Sequence, residues 1–384
     1  MYEIYLDNAA TTRCDEDVAA LMHEIHTVDY GNPSSAHAKG FSAEKRMREA
    51  YERVARSVRC RTKEIVFTSG GTEADNLAIL GAAYALKRMG NRILTTQIEH
   101  PAVKEAVRRL SDEGFDVGLL PVDRDGVTDM EVLSGALTSD TILVSVMAVN
   151  NETGSVQPLK EIGALVKARC KHALFHTDAV QGFGKIPIDV KEAKIDLLSV
   201  SGHKLHGPKG AGFLYVKDGV RLVPQILGGG QQASFRSGTE NVAGYAGCAL
   251  AAEKACADMG AVMEHLYALR AYFCEEVVKR VPDVQVNAWE HSIPHILSLS
   301  VRGVRAEVLL HALEENGIYV SGGSACATRH RAVSETLQAI GIEEALLEST
   351  IRLSFSKYTT AEELEETLEA LAVIVPRLRR FHPR

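Results

Sequence analysis

Through its first two-thirds the chain alternates short β-rich runs with amphipathic helical stretches, and that order fits a mainly parallel sheet covered by helices on both faces. Residues 64–68, 93–97, 117–122, 141–147, 173–177 and 196–200 read as strands. Between them lie amphipathic stretches such as 74–89, closed by Gly90, and 159–168. From about Cys256 the texture changes to a long helical stretch at 262–281, strand-like runs at 296–301, 318–321 and 351–354, and a charged helix from Ala361. The expectation is an α/β chain with a large, doubly wound domain and a smaller α+β domain packed closely on it. The length of 384 residues suits two domains.

Composition removes several function classes. With 43 Lys+Arg against 50 Asp+Glu the net charge is −7, a poor basis for gripping a phosphate backbone, so nucleic acid is not an expected partner. No stretch of about 18 apolar residues suggests a membrane span, and the opening Met-Tyr-Glu-Ile-Tyr-Leu-Asp lacks the layout of a secretory leader, so a cytoplasmic location is expected. The cysteines at 14, 60, 170, 248, 256, 274 and 326 form no C-x-x-C pair, which suggests neither a disulfide framework nor a metal site. A chemically active cysteine would act alone.

In open parallel sheets ligands bind beyond the carboxyl ends of the strands. Five expected strands deliver polar groups there: Ser69-Gly70-Gly71-Thr72-Glu73, then Glu99-His100-Pro101, Asn150-Asn151-Glu152-Thr153-Gly154, Asp178 with Gln181, and Ser201-Gly202-His203-Lys204. The glycine-rich turn opens a helix, where free amides and the dipole favour an anion, although such a turn is also ordinary capping. It matches neither nucleotide-binding loop pattern, G-x-x-x-x-G-K-[ST] or G-x-G-x-x-G. Lys204 at a strand end could be a snorkelling surface lysine, or a desolvated amine with nucleophilic character. Asp178 on a neighbouring strand end favours the second reading. An acid that keeps a pyridine nitrogen protonated, together with a lysine that bonds an aldehyde, is the arrangement of a pyridoxal 5'-phosphate site.

The runs Tyr5-Leu-Asp-Asn-Ala-Ala-Thr-Thr12, Phe67-Thr-Ser-Gly-Gly-Thr-Glu-Ala-Asp-Asn76, Val149-Asn-Asn-Glu-Thr-Gly154, His176-Thr-Asp-Ala-Val-Gln181, Ser201-Gly-His-Lys204, Arg236-Ser-Gly-Thr-Glu-Asn241 and Ser321-Gly-Gly-Ser-Ala-Cys326 resemble, in order, those of cysteine desulfurases of the NifS/IscS group. The resemblance implies the pyridoxal-phosphate fold type I. Residues 14–255 would form the large cofactor-binding domain, and 1–13 with 256–384 a small domain carrying the cysteine loop. Matched position by position, Lys204 would bond the cofactor, Asp178 would pair with its ring nitrogen, His100 would stack on the ring and move protons, and Gln181 would bond the phenolic oxygen. Thr72 with Gly71, Ser201 and His203 would hold the phosphate, joined by Thr239 from a partner subunit, so a homodimer is implied. Asn151 and Arg352 would take the carboxylate of L-cysteine, a task suited to the guanidinium fork. Cys326 would accept the sulfur as a persulfide and leave alanine.

Cys326 is followed by Arg329, His330 and Arg331, cations that would favour thiolate over thiol, or that simply form a solvated face. The other six cysteines read as small apolar filler. In housekeeping members of the group the loop continues Ser-Leu-Glu-Pro, whereas Ala327-Thr-Arg-His-Arg-Ala-Val333 stands here, and the chain ends about thirty residues after Arg352. These departures leave the acceptor open between an iron–sulfur scaffold and a tRNA-thiolation protein. The rival readings are a class V aminotransferase, a selenocysteine lyase, or a catalytically silent pyridoxal-binding module.

Overall fold

The computed structural model describes residues 3–288, 290–322 and 333–380. The chain forms β1 (Ile4–Tyr5), β2 (Ile65–Thr68), β3 (Arg92–Thr96), β4 (Asp116–Leu120), β5 (Thr141–Ser145), β6 (Leu174–Asp178), β7 (Leu197–Ser201), β8 (Gly212–Val216), β9 (Val284–Asn287), β10 (Ile296–Val301), β11 (Ile318–Tyr319), β12 (Ser321–Gly322) and β13 (Thr350–Ser354).

Seven of these make the large sheet, in the order β2-β8-β7-β6-β5-β3-β4. All neighbours pair in parallel except β8, which is antiparallel to both β2 and β7, so the other six strands end at one rim. Strands such as β5 and β7 are buried along their whole length, as expected of a sheet covered on both faces. The six strands expected from sequence are present to within a residue or two. The antiparallel β8 was not anticipated; its Gly-Phe-Leu-Tyr-Val run is short and buried, and nothing in it signals direction. Gly212 is required there, because a Cβ would fall 2.4 Å from the Val200 carbonyl oxygen and 2.8 Å from the Gly70 Cα. That close approach lets β8 lie against the glycine-rich turn.

A second, antiparallel sheet, β12-β13-β10-β9, and the parallel pair β1-β11 build the other layer. The helix Val242–Arg280 runs for 39 residues between the two cores. Its buried residues up to Ala252 pack with the large sheet, and those from Leu266 to Val277 pack with β1, β10 and β13. The sequence pattern marks only 262–281 because 242–252 is rich in small residues buried on all sides, which erases the 3.6-residue rhythm. Similarly, the stretch expected at 74–89 is the helix Gly71–Leu86, entering one turn earlier through the glycine-rich turn. Among the described residues no helix is long and apolar enough to cross a membrane.

The segment 4–12 bridges the cores. Ile4 and Leu6 belong to the small-sheet core and Ala9 to the large one.

Candidate active site

The rim of the large sheet opens into a cleft of about 690 Å³, whose wall includes Thr72, His100, Asn151, Asp178, Ser201 and Arg352. Gly71, Gln181, His203 and Lys204 also line it, so nearly every predicted residue meets in one place. The turn after β2 is shaped for close packing. Gly70 has φ +144°, and a Cβ on Gly71 would stand 2.7 Å from Val180 Cγ2, so the turn is seated on the loop that follows β6. Arg236 Nε donates to Glu73 Oε1 at 2.9 Å, tying the 236–241 loop to the first turn of the same helix. Free amides at a helix start favour an anion.

Lys204 stands in the short turn Gly202–Lys204 at the end of β7, and its Nζ donates to the Ala9 carbonyl and, at 2.7 Å, to that of Ala10. Gln181 Nε2 also donates to Ala9 O, at 2.9 Å, while its buried Oε1 has no partner among the described residues. Asp178, at the end of β6, accepts from Val180 N at 2.8 Å. Burial pushes its carboxyl up; His100 and Lys204 pull in the opposite direction. A protonated ring nitrogen is the kind of partner this carboxylate lacks. His100 caps the helix Pro101–Asp112, its Nδ1 accepting from Ala102 N at 3.1 Å, so the neutral ring carries its proton on Nε2. Burial holds its pKa down, with the nearby lysines acting the same way and Asp178 opposing. His203, bonded at 3.2 Å to Thr11 Oγ1, is pushed down to about 4 by burial and by neighbouring lysines, chiefly Lys204.

Arg352 comes from β13, is 3% exposed, and reaches the cleft from the small sheet. One guanidinium nitrogen donates to the Asn151 carbonyl at 2.7 Å and another to Asp7 Oδ1 at 2.8 Å. Val333, Ser334 and Glu335 complete that wall, held to the other side by Ser334 with Glu152 and by Lys104 with Glu335 at 2.7 Å. Thr239 is exposed and does not line the cleft within one chain. Cys326 lies outside the described residues.

Sequence reasoning placed Glu99 at the rim without a role, and missed the buried groups Asp75 and His176 altogether. Glu99 is 2% exposed, and its Oε1 accepts from Thr96 Oγ1 at 2.7 Å and Met147 N at 2.9 Å. Its Oε2 has no partner among the described residues, and burial pushes the carboxyl up to about 8. His176 bonds Ser145 Oγ at 2.8 Å and Ser199 Oγ at 3.0 Å, with Asp75 Oδ1 3.6 Å away; burial lowers its pKa to about 3 and raises that of Asp75. Asp7 was equally unforeseen.

The cleft, the amide-rich helix start, the unpartnered Gln181 oxygen and the carboxylate of Asp178 fit a phosphorylated, aldehyde-bearing pyridine. Comparison with known proteins agrees. The family model for aminotransferase class-V matches residues 4–367. A cysteine desulfurase IscS of Dictyoglomus turgidum is 42% identical over 382 residues, covering 99% of this chain and 96% of the relative. A putative cysteine desulfurase IscS 1 of Bacillus subtilis is 45% identical, covering 98% of this chain and 100% of that one. A solved structure described as a NifS-like protein superposes with a TM-score of 0.93 at 38% identity, covering 98% of this chain and 100% of that chain. With its cleft, its large sheet and these relatives taken together, the chain belongs to the class-V aminotransferase family, whose members are pyridoxal 5'-phosphate enzymes of fold type I.

Proposed function

We infer that the protein is a pyridoxal-phosphate-dependent cysteine desulfurase that converts L-cysteine to L-alanine and carries the sulfur as a persulfide. The observation that carries this reading is the meeting of Lys204, Asp178 and His100 with Arg352 in one cleft, in a chain akin over its full length to proteins named cysteine desulfurase.

The bound cofactor supplies an electron sink that makes loss of an amino-acid α-proton feasible. Around it each side chain has a separate task. Thr72, Gly71, Ser201 and His203 would hold the phosphate, Gln181 would bond the phenolic oxygen, and Asp178 would keep the ring nitrogen protonated. Lys204 would hold the aldehyde, and its amine is placed to take the Cα proton of a bound amino acid. Arg352 and Asn151 would fix the carboxylate, and His100, with its proton on Nε2, would cover the ring and move protons at the substrate. The Cys326 thiolate would attack the substrate sulfur: an S–S bond forms as the Cβ–S bond breaks, the bonding pair stays with Cβ, which takes up a proton, and the three-carbon unit leaves as alanine.

The choice of Cys326 is supported by the other cysteines. Burial is the leading cause that raises every one of them, Cys60 and Cys248 to about 12 and Cys256 and Cys274 to about 11, with Cys14 and Cys170 shifted the same way. None lines the cleft, whereas Val333 and Ser334, a few residues beyond Cys326, do. The reading includes a homodimer in which Thr239 completes the partner's phosphate site, and a division into 14–255 and 1–13 with 256–384. It also includes a cytoplasmic location and a sulfur-acceptor protein, either an iron–sulfur scaffold or a tRNA-thiolation enzyme. Mass spectrometry after adding L-cysteine tests the central step. One extra sulfur on the peptide holding Cys326, absent from Cys326→Ala, is expected; sulfur on another cysteine, or alanine formed with no persulfide, overturns it.

A further inference from the structure

Lys204 also lines a second cavity of about 60 Å³, with walls contributed by residues of both the large-sheet and small-sheet layers. Apolar walls come from Leu205, Leu266 and Phe355, but six side chains that can carry positive charge also line it: Lys185, Lys204, His206, Lys254, His295 and Lys357. The acid on the wall is Asp258, an exposed residue. Four of the six have partners. Lys204 donates to Ala9 and Ala10, Lys254 and Lys357 pair with Asp15 at 2.9 and 2.7 Å, and His206 Nδ1 sits 2.9 Å from the Arg13 carbonyl. The other two do not. His295 is 2% exposed and neither ring nitrogen has a hydrogen-bond partner among the described residues. Lys185 forms no hydrogen bond or ion pair among the described residues, and burial with the charge of Lys204 pushes its pKa down to about 7. Positive charge from Lys185, Arg352, Arg270 and Lys204 adds to burial in depressing His295.

Half-buried Lys185 has no counter-charge at hand among the described residues, and a buried, unpartnered imidazole such as that of His295 forfeits a hydrogen bond. A water needs roughly 10–15 Å³ of such space, so this volume admits either a few waters or one compact ion. We propose that this cavity is a small-anion site, in which Lys185 and His295 hold one inorganic anion of halide to bicarbonate size next to Lys204. The site does not include Arg352, and it would place a negative charge beside the reactive amine.

Bromide identifies itself by anomalous X-ray scattering. Holoenzyme crystals grown in bromide are expected to show an anomalous peak in contact with both Lys185 and His295; waters alone in the cavity overturn the proposal. In solution, the pH midpoint of the cofactor's visible absorbance band is compared in chloride and in gluconate, an anion too large to enter, at equal ionic strength. The groups around the titrating centre are His100, Asp178, His203, Lys185 and His295. Chloride is expected to raise the midpoint by roughly one unit, the lower end of what an opposite charge in contact produces. Bicarbonate in place of chloride tests the upper size. Lys185→Gln is expected to abolish the difference; equal midpoints in the two salts, or an undiminished shift in the variant, reject the site. The crystallographic arm uses the unaltered protein, so it decides the matter even where the variant is unstable.

Discussion

Glu99 shows how one buried carboxyl sets a pH dependence. Its pKa is pushed up to about 8 by burial, whereas an unfolded chain titrates near 4.3. Between these values the folded state holds a proton that the unfolded state has released. Its stabilising contribution is therefore complete below about pH 4 and declines by about 1.4 kcal/mol per pH unit until about pH 8. Glu99→Gln, which cannot ionise, should lack this decline. Urea denaturation of the cofactor-free protein between about pH 5 and pH 8 is expected to show the variant gaining on the parent as pH rises; parallel curves would place the ionisation elsewhere. At this scale the sequence made the cleft-lining groups legible because strand ends project them to one rim. It did not reveal Asp75, His176 or Asp7, because burial and pairing across the chain depend on neighbours hundreds of residues away, as the contact of Asp7 with Arg352 illustrates.

The helix Val242–Arg280 is the element that joins the cores, and its middle carries residues that pack into neither. Gly260 lies in this stretch, and a Cβ there would meet nothing within 4 Å. Gly260→Ala should therefore stabilise the protein by about 0.5–1 kcal/mol through helix propensity alone, read as a shift of the urea midpoint with unchanged slope. A loss of stability would mean that the exposed face is covered in the assembled protein. Strands with continuous β-branched and leucine runs were readable from the sequence because full burial demands apolar residues on both faces. The direction of β8 and the first half of this helix were not: antiparallel insertion is decided by pairing, and an alanine-rich helix buried all round has no polar face to mark its period.

At the scale of the whole molecule, the cleft described within one chain lacks the Thr239 contribution that the proposed dimer supplies. Thr239→Ala should weaken cofactor retention by roughly tenfold, the value of one hydrogen bond to a charged group. Mixing Lys204→Ala chains with Thr239→Ala chains should then restore activity at limiting cofactor above that of either alone, because in a mixed dimer both lesions fall in one site and the other is intact. Failure to complement would place Thr239 in its own chain's chemistry. The change of texture after Cys256 marked where the strands of the second, antiparallel sheet begin, but the continuity of the helix Val242–Arg280 across that point was not legible.

The run from Ile4 to Thr12 anchors one core with Ile4 and Leu6, holds Arg352 with Asp7, and offers the Ala9 and Ala10 carbonyls to Lys204. A protease that nicked this ribbon once would release its holds on both Arg352 and Lys204 in a single cut.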